Sequence, residues 1–187
     1  MKKILIIDDE EKFGLMVKRN LERTGHYEVR VETHGAEGLE AARDYRPNIV
    51  LLDMMIPDLR GPEVAWQLRT DKRLRRTPII FLTAVVGRKQ THTFAGLVGG
   101  GWPFRARPCV AKPVRTRDLI DAIEQNLWRK RVFMLKPICA TCHRKVESVN
   151  DAWVEFPEPL PSEDSEILEK GVLNHFDCHY ADDLRIS

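Results

Sequence analysis

Five side chains of strong chemical character follow four short apolar runs of this sequence. Asp8 and Asp9 come after the first run and Asp53 after the third, while Thr83 and Lys112 follow two later runs. Carboxylates that converge repel one another and need a cation, and oxygen ligands of this kind suit Mg²⁺. A hydroxyl and an ammonium near such a cation would bind a phosphoryl group, which the Asp53 carboxylate could accept as an acyl phosphate.

The segments between these residues predict the elements that must bring them together. Short β-branched apolar runs alternate with helix-like segments over the first 130 residues, which is typical of a parallel sheet covered on both faces. Strands are predicted at 3–7, 29–32, 49–52, 79–82 and 109–111, and helices at 11–23, 35–44, 62–70, 88–97 and 115–130. The expected fold class is α/β, with a doubly wound, five-stranded parallel sheet whose carboxyl edge carries the site. We expect a cis Lys112–Pro113 peptide bond that directs the lysine inward.

Charge is distributed unevenly along the 187 residues, whose net charge is +2. Residues 1–136 hold 26 of the 30 Lys and Arg and 17 of the 28 Asp and Glu, so the remaining segment is acidic, with a net charge of −7. This division predicts two units with different roles. The apolar runs are far shorter than the ~18 residues that a membrane span needs. Acidic residues directly after the first run exclude a signal-peptide core, so we expect a cytoplasmic protein with no membrane partner.

The C-terminal segment has two pairs of residues that could hold a metal. Cys139 and Cys142 form a Cys-x-x-Cys pair, and His175 and Cys178 form a His-x-x-Cys pair. Together they could close a tetrahedral Cys₃His zinc site, and a unit of about fifty residues often needs such a metal. The prediction is a small zinc-ribbon-like appendage. Unrelated side chains with buried reduced thiols, or a disulfide or redox pair, are the alternatives.

Residues 1–130 resemble a response-regulator receiver domain of two-component signalling, and residues 131–187 form the small C-terminal Cys/His module. The resemblance rests on Ile6-Ile7-Asp8-Asp9-Glu10, Asp53-Met54-Met55-Ile56-Pro57 with Gly61, Leu82-Thr83-Ala84 and Ala111-Lys112-Pro113-Val114. It implies a flavodoxin-like receiver in which Asp53 accepts a phosphoryl group from a sensor histidine kinase. The implied Mg²⁺ ligands are Asp8, Asp9, Asp53 and the backbone carbonyl of Met55. Thr83 and Lys112 would contact the phosphoryl group.

Several positions depart from the family pattern. Receivers usually carry Tyr or Phe three residues before the lysine, where this chain has Cys109. Either Trp102 or Phe104 replaces that aromatic, or both pack over the strand end and signalling runs by another route. Met55 and Val85 occupy positions that help place the hydrolytic water in the family. Because apolar side chains cannot orient water by hydrogen bonds, we expect an acyl phosphate that decays over many minutes or longer.

The predicted function is a phosphorylation-dependent switch, and not an enzyme, that changes the binding of an unidentified output protein. The alternative is a phosphorylation-independent scaffold built on a degenerate receiver. DNA-binding output is less favoured, because the acidic C-terminal segment would repel phosphates. A phosphatase that uses Asp53 is disfavoured, because such enzymes resemble a first-strand Asp-x-Asp and here the pair is adjacent. The resemblance leaves the kinase, the output and homodimer formation open.

Overall fold

Five parallel strands form one sheet in the order β2-β1-β3-β4-β5. The structure, a computed structural model, describes residues 1–84, 109–135, 138, 152–155 and 172–175. The sheet strands are β1 (Lys2–Ile7), β2 (Tyr27–Glu32), β3 (Ile49–Asp53), β4 (Ile79–Thr83) and β5 (Cys109–Ala111). The described helices are α1 (Glu11–Glu22), α2 (Gly35–Tyr45), α3 (Gly61–Thr70) and α4 (Thr116–Leu135). The predicted five-stranded parallel sheet is confirmed.

Helices cover both faces of the sheet, which is why the central strands are apolar along their whole length. All residues of β3 and β4 are buried, as is β1 from Ile4 onwards. One core packs α2 and α3 against one face around Phe81. The other packs α1 and α4 against the opposite face through Leu21 and Ile123. The chain passes from β1 to β2 on one side and returns to β3 on the other, so the strand order reverses beside β1.

The last helix is longer than the sequence pattern predicted. The prediction ended it at residue 130, whereas α4 continues to Leu135. The physical reason is that no helix-breaking residue occurs before Pro137. The boundary predicted between residues 130 and 131 therefore falls inside α4. Among the helices that the structure describes, none is long and apolar enough to cross a membrane.

Two short strands beyond α4 form a separate antiparallel pair. They are β6 (Ala152–Glu155) and β7 (Val172–His175), and both contact α4. The sequence pattern does not predict these two strands, because four residues are too few to show a strand period. His175 therefore lies in a strand, opposite Ala152, and its side chain is not described. The following predicted residues and segments lie outside the described residues: Val85, the helix at 88–97, Trp102, Phe104, Cys139, Cys142 and Cys178.

Candidate functional site

The carboxyl edge of the sheet brings together the side chains that the sequence singled out. Asp8 follows β1, Asp53 and Thr83 are the last residues of β3 and β4, and Lys112 follows β5. These strands are neighbours and run parallel, so their carboxyl ends meet at one edge. The backbone N–H of Lys112 donates to the carbonyl of Thr83 at 2.8 Å, which ties the last two positions together.

The Lys112 ammonium lies at the centre of a cluster of three carboxylates. Its Nζ atom is 2.7 Å from Oδ2 of Asp8 and 2.8 Å from Oδ2 of Asp53. The third carboxylate is Glu10, whose Oε1 atom lies 3.0 Å from the same nitrogen. The side chains of Asp8, Asp53 and Lys112 are at most 9% exposed, so these charges interact in a largely desolvated site. One ammonium cannot neutralise three carboxylates, so the cluster keeps negative charge that a further cation could balance.

Burial and pairing have opposite effects on each pKa in this cluster. Desolvation raises the pKa of Asp8 to about 6, since the neighbouring Lys112 ammonium offsets only part of the effect of burial. Burial alone would lower the pKa of Lys112, but its close contacts with Asp53, Asp8 and Glu10 outweigh that effect, and the net shift is upward. Lys112 therefore stays protonated, whereas Asp8 needs a positive partner to remain a carboxylate near neutral pH.

The donor set of the cluster fits a hard divalent cation. Oxygen atoms of Asp8, Glu10 and Asp53 all lie within 4.8 Å of one another. The buried Oδ2 atom of Asp8 accepts no hydrogen bond of good geometry, although the ammonium is close, so it retains lone pairs for a ligand. Carboxylate oxygens are the ligands that Mg²⁺ prefers. The residues at this edge are therefore suited to hold magnesium.

The two residues after Asp8 are both acidic, but only one of them belongs to the carboxylate cluster. Asp9 is exposed and lies outside the group of three converging carboxylates, whereas Glu10 belongs to it. Glu10 follows Asp8 in a tight turn, in which its backbone N–H donates to Oδ1 of Asp8 at 3.1 Å. Glu10 belongs to the first receiver-like motif of the sequence, but the motif alone predicts no role for it. Its place in the uninterrupted acidic run after β1 was the available signal.

The loop after β3 is fixed at both of its ends, which positions Asp53. The backbone N–H of Met55 donates to Oδ1 of Asp53 at 3.2 Å. At the far end, the Gly61 N–H donates to the carbonyl of Met54 at 3.1 Å. A Cβ atom at Gly61 would lie 2.0 Å from the Asp53 carbonyl oxygen, so only glycine permits this approach.

A carboxylate in the middle of the same loop caps a neighbouring helix. Asp58 accepts hydrogen bonds from the backbone N–H groups of Gly35 at 2.9 Å and Ala36 at 3.1 Å. These groups begin α2, and the preceding His34 supplies no side-chain cap. The bond from Gly35 is the main reason that the pKa of Asp58 lies below its usual range. The loop is thus held against α2 as well as against β3.

The position where the family usually has an aromatic residue is closed to solvent. Cys109 is a free cysteine, only 3% exposed, and it packs in the same core as Phe81. Burial raises the pKa of its thiol, which disfavours a reactive thiolate. Cys109 therefore fills this position as a small buried apolar residue. The Lys112–Pro113 bond is cis, as expected.

The sequence of this chain is similar to a known family of domains over residues 4–124. The model of the response regulator receiver domain matches residues 4–124. The alkaline phosphatase synthesis transcriptional regulatory protein PhoP of Bacillus subtilis is 37% identical over 116 residues, which are 62% of this chain and 46% of that protein. The response regulator ArlR of Staphylococcus saprophyticus is 32% identical over 130 residues, or 70% of this chain and 54% of that protein. The chain thus spans about half the length of the curated relatives it matches.

Solved structures agree with the sequence comparisons. A CheY-like response regulator receiver domain protein from Methanospirillum hungatei JF-1 has a TM-score of 0.57 and 25% identity. The match covers 70% of this chain and 96% of that chain. The similarity therefore extends over a whole receiver domain of the other protein.

Proposed function

The chain belongs to the response regulator receiver family, and from this premise we propose that it is a phosphorylation-dependent switch with Asp53 as the phosphoryl acceptor. Members of this family are phosphorylated by sensor histidine kinases, and a kinase of that class is the donor proposed here. The observation that carries the proposal is the ion cluster, in which one ammonium lies 2.8 Å from Asp53 and 2.7 Å from Asp8.

The proposed reaction transfers a phosphoryl group from a phosphohistidine of the kinase to the carboxylate of Asp53. An Asp53 carboxylate oxygen attacks the phosphorus atom of a phosphohistidine, the P–N bond breaks, and the electron pair stays on the imidazole nitrogen. Magnesium, when bound, would neutralise charge on the carboxylates and on the phosphoryl oxygens. Asp8, Glu10 and Asp53 would hold it, with Asp9 and the Met55 carbonyl as the family pattern implies.

Two residues of the chain would then bind the transferred group. The Lys112 ammonium lies 2.8 Å from Asp53 and would move its hydrogen bond from the carboxylate to a phosphoryl oxygen. Thr83 is buried at the end of the adjacent β4 and would supply a hydroxyl to another oxygen. The phosphoryl group adds a charge of about −1.5 to −2. That charge would shift the neighbouring loops between two arrangements, which an output protein could distinguish.

Phosphorylation of the full chain by acetyl phosphate tests this proposal. We expect incorporation of one phosphoryl group, measured by intact-protein mass spectrometry, when Mg²⁺ is present. Incorporation should cease when EDTA removes the metal, because the unneutralised carboxylates then repel the donor. No incorporation at saturating Mg²⁺ and donor would favour the phosphorylation-independent scaffold. The observation that favours this second function is Cys109, which occupies the position where receivers usually have an aromatic residue.

The acyl phosphate should be long-lived once formed. The Met55 side chain is 68% exposed beside Asp53, and a thioether cannot orient a water molecule for attack as an amide or carboxylate could. We expect a half-life of many minutes or longer, and faster decay in Met55→Asn. Met16→Asn is a matched control, because Met16 is 47% exposed on α1. Decay of the unsubstituted protein within seconds would contradict the prediction.

The remaining parts of the proposal concern the rest of the chain and its surroundings. We propose that the chain acts as a switch without enzymatic turnover of its own and that it works in the cytoplasm. Zinc binding by Cys139, Cys142, His175 and Cys178 stays a prediction of the sequence, to be decided by metal analysis of the purified chain. DNA output is less favoured, because residues 137–187 carry a net charge of −7.

A further inference from the structure

The Lys112 ammonium has a fourth neighbour that is not a carboxylate. The Nζ atom lies over the ring of Phe13, 4.5 Å from its centroid. That distance is within the ~6 Å range in which a cation is attracted to the negative face of an aromatic ring. Asp53 and Glu10 accept hydrogen bonds from the ammonium, and Asp8 pairs with it at 2.7 Å, while the ring faces the same nitrogen and accepts no conventional hydrogen bond from it.

Helix α1 brings the ring to this point. Phe13 lies in the first turn of α1 and packs, partly buried, against the core formed by α1, α4 and the sheet. The next residue is Gly14, where a Cβ atom would lie 2.7 Å from Cγ1 of Val31 on β2. The absence of a side chain at Gly14 therefore lets α1 approach the sheet closely. A glycine inside a helix costs about 1 kcal/mol of stability relative to alanine. The close approach of α1 to β2 at Gly14 therefore comes with a loss of helix stability.

The carboxylate partners of Lys112 would change during the proposed reaction, whereas the ring would not. Metal binding would engage the oxygens of Asp8, Glu10 and Asp53, and phosphoryl transfer would use one oxygen of Asp53. The first event would take hydrogen-bond acceptors from the ammonium, and the second would exchange an Asp53 oxygen for a phosphoryl oxygen. Phe13 has no ionisable or metal-binding group, so it can hold the ammonium at the same place throughout the exchange.

We propose that Phe13 is a positioning residue that keeps the Lys112 ammonium at the carboxylate cluster through its aromatic face. The proposal rests on the proposed function of Asp53 as phosphoryl acceptor. Phe13 acts through Lys112 and does not itself contact the reacting atoms. A ring that only filled space could be replaced by an aliphatic side chain of similar size, whereas an electrostatic role requires an aromatic face.

The test compares Phe13→Leu with Phe13→Tyr in the full chain, with acetyl phosphate as donor and saturating Mg²⁺. Leucine should lower the maximal phosphorylation rate by roughly 3- to 10-fold, as expected for loss of a partly buried cation–π contact. Tyrosine should restore the rate to within about 2-fold, because its ring keeps the same negative face. The Mg²⁺ concentration at half-maximal rate should not increase in either variant, since Phe13 holds no metal.

Equal rates in Phe13→Leu and the unsubstituted chain would overturn the proposal, and so would equal losses in both variants. Thermal unfolding of each variant checks that a lower rate does not reflect a smaller folded fraction. A second measurement does not depend on phosphorylation. In NMR spectra, the ε-methylene protons of Lys112 should be shifted upfield by the ring current of Phe13, and the shift should vanish in Phe13→Leu. If the unsubstituted chain accepts no phosphoryl group, the proposed function fails, while this shift still shows whether the contact exists.

Discussion

Asp53→Asn should abolish phosphorylation by acetyl phosphate, with a loss of at least about 100-fold in rate, because an amide is a far weaker nucleophile than a carboxylate. The fold should survive this change. Asparagine keeps an Oδ1 atom that can accept the Met55 N–H, which now donates to Asp53 at 3.2 Å. It removes one of three converging negative charges, so repulsion in the unloaded site decreases.

Intact-protein mass spectrometry after a fixed labelling time measures this loss, and peptide mapping of the unsubstituted chain locates the phosphoryl group. Asp71→Asn is the matched control. Asp71 is the C-terminal cap residue of α3, near the amino-terminal edge of the sheet, where it pairs with Arg43 at 3.2 Å. The Asp71→Asn variant should be labelled at the same rate as the unsubstituted chain. Undiminished labelling of Asp53→Asn would place the acceptor elsewhere and remove the central residue of the proposal.

Lys112→Met should destabilise the metal-free protein by about 3 kcal/mol, because removing one partner of a buried ion pair leaves its counter-charges uncompensated. Methionine has a similar length and no charge, so packing against Phe13 is largely retained. Asp8 already titrates at a pKa of about 6, and loss of the ammonium raises that pKa further. Partial protonation of Asp8 therefore limits the destabilisation near neutral pH.

The same substitution should have the opposite effect on metal binding. Mg²⁺ competes with the ammonium for the oxygens of Asp8, Glu10 and Asp53. Without that competitor we expect Mg²⁺ to bind roughly 10-fold more tightly, as one fewer positive charge within ~4 Å allows. Millimolar Mg²⁺ should then recover most of the lost free energy of unfolding, because a ligand that binds only the folded state stabilises it.

Urea unfolding with and without Mg²⁺ measures both effects in one variant. The control is Lys2→Met, which removes a cation whose side chain is 47% exposed and pairs with Glu124 at 2.6 Å. Surface pairs of this kind contribute about 0–1 kcal/mol, so neither stability nor its Mg²⁺ dependence should change much. Equal stability of Lys112→Met and Lys2→Met without metal would show that the cluster is solvated far more than its burial indicates.

The sheet and most of the site could be predicted because both depend on strand order. Continuous apolar runs such as β3 and β4 need two covered faces, and a parallel sheet places all its carboxyl ends at one edge. Asp8, Asp53, Thr83 and Lys112 end or follow strands that are adjacent in this sheet, so they come to the same edge. No knowledge of side-chain packing is needed to reach that result.

Glu10 and Phe13 could not be assigned in the same way, because they reach the site from a turn and from the first turn of α1. Their positions depend on how closely that helix packs against β2, which the contact between Gly14 and Val31 determines. Hydrophobic periodicity shows which face of a helix is buried, but it does not give the depth of packing. The predicted end of α4 was too early for another reason. Residues 131–135 continue the helix, but their apolar spacing is too weakly amphipathic to predict it.

The close approach of Gly61 to Asp53 has a consequence for how this sequence can vary. The hydrogen bond from the Gly61 N–H to the Met54 carbonyl fixes the distance that the intervening loop must span. No space remains for a Cβ atom where the two ends of the loop meet. One inserted or deleted residue would have to move the carbonyl of Asp53 and, with it, the acceptor carboxylate. Exposed positions of the loop, such as Met55, can change their chemistry freely by comparison. Divergence here is therefore expected in residue identity, which would tune the lifetime of the proposed phosphoryl group, and not in chain length.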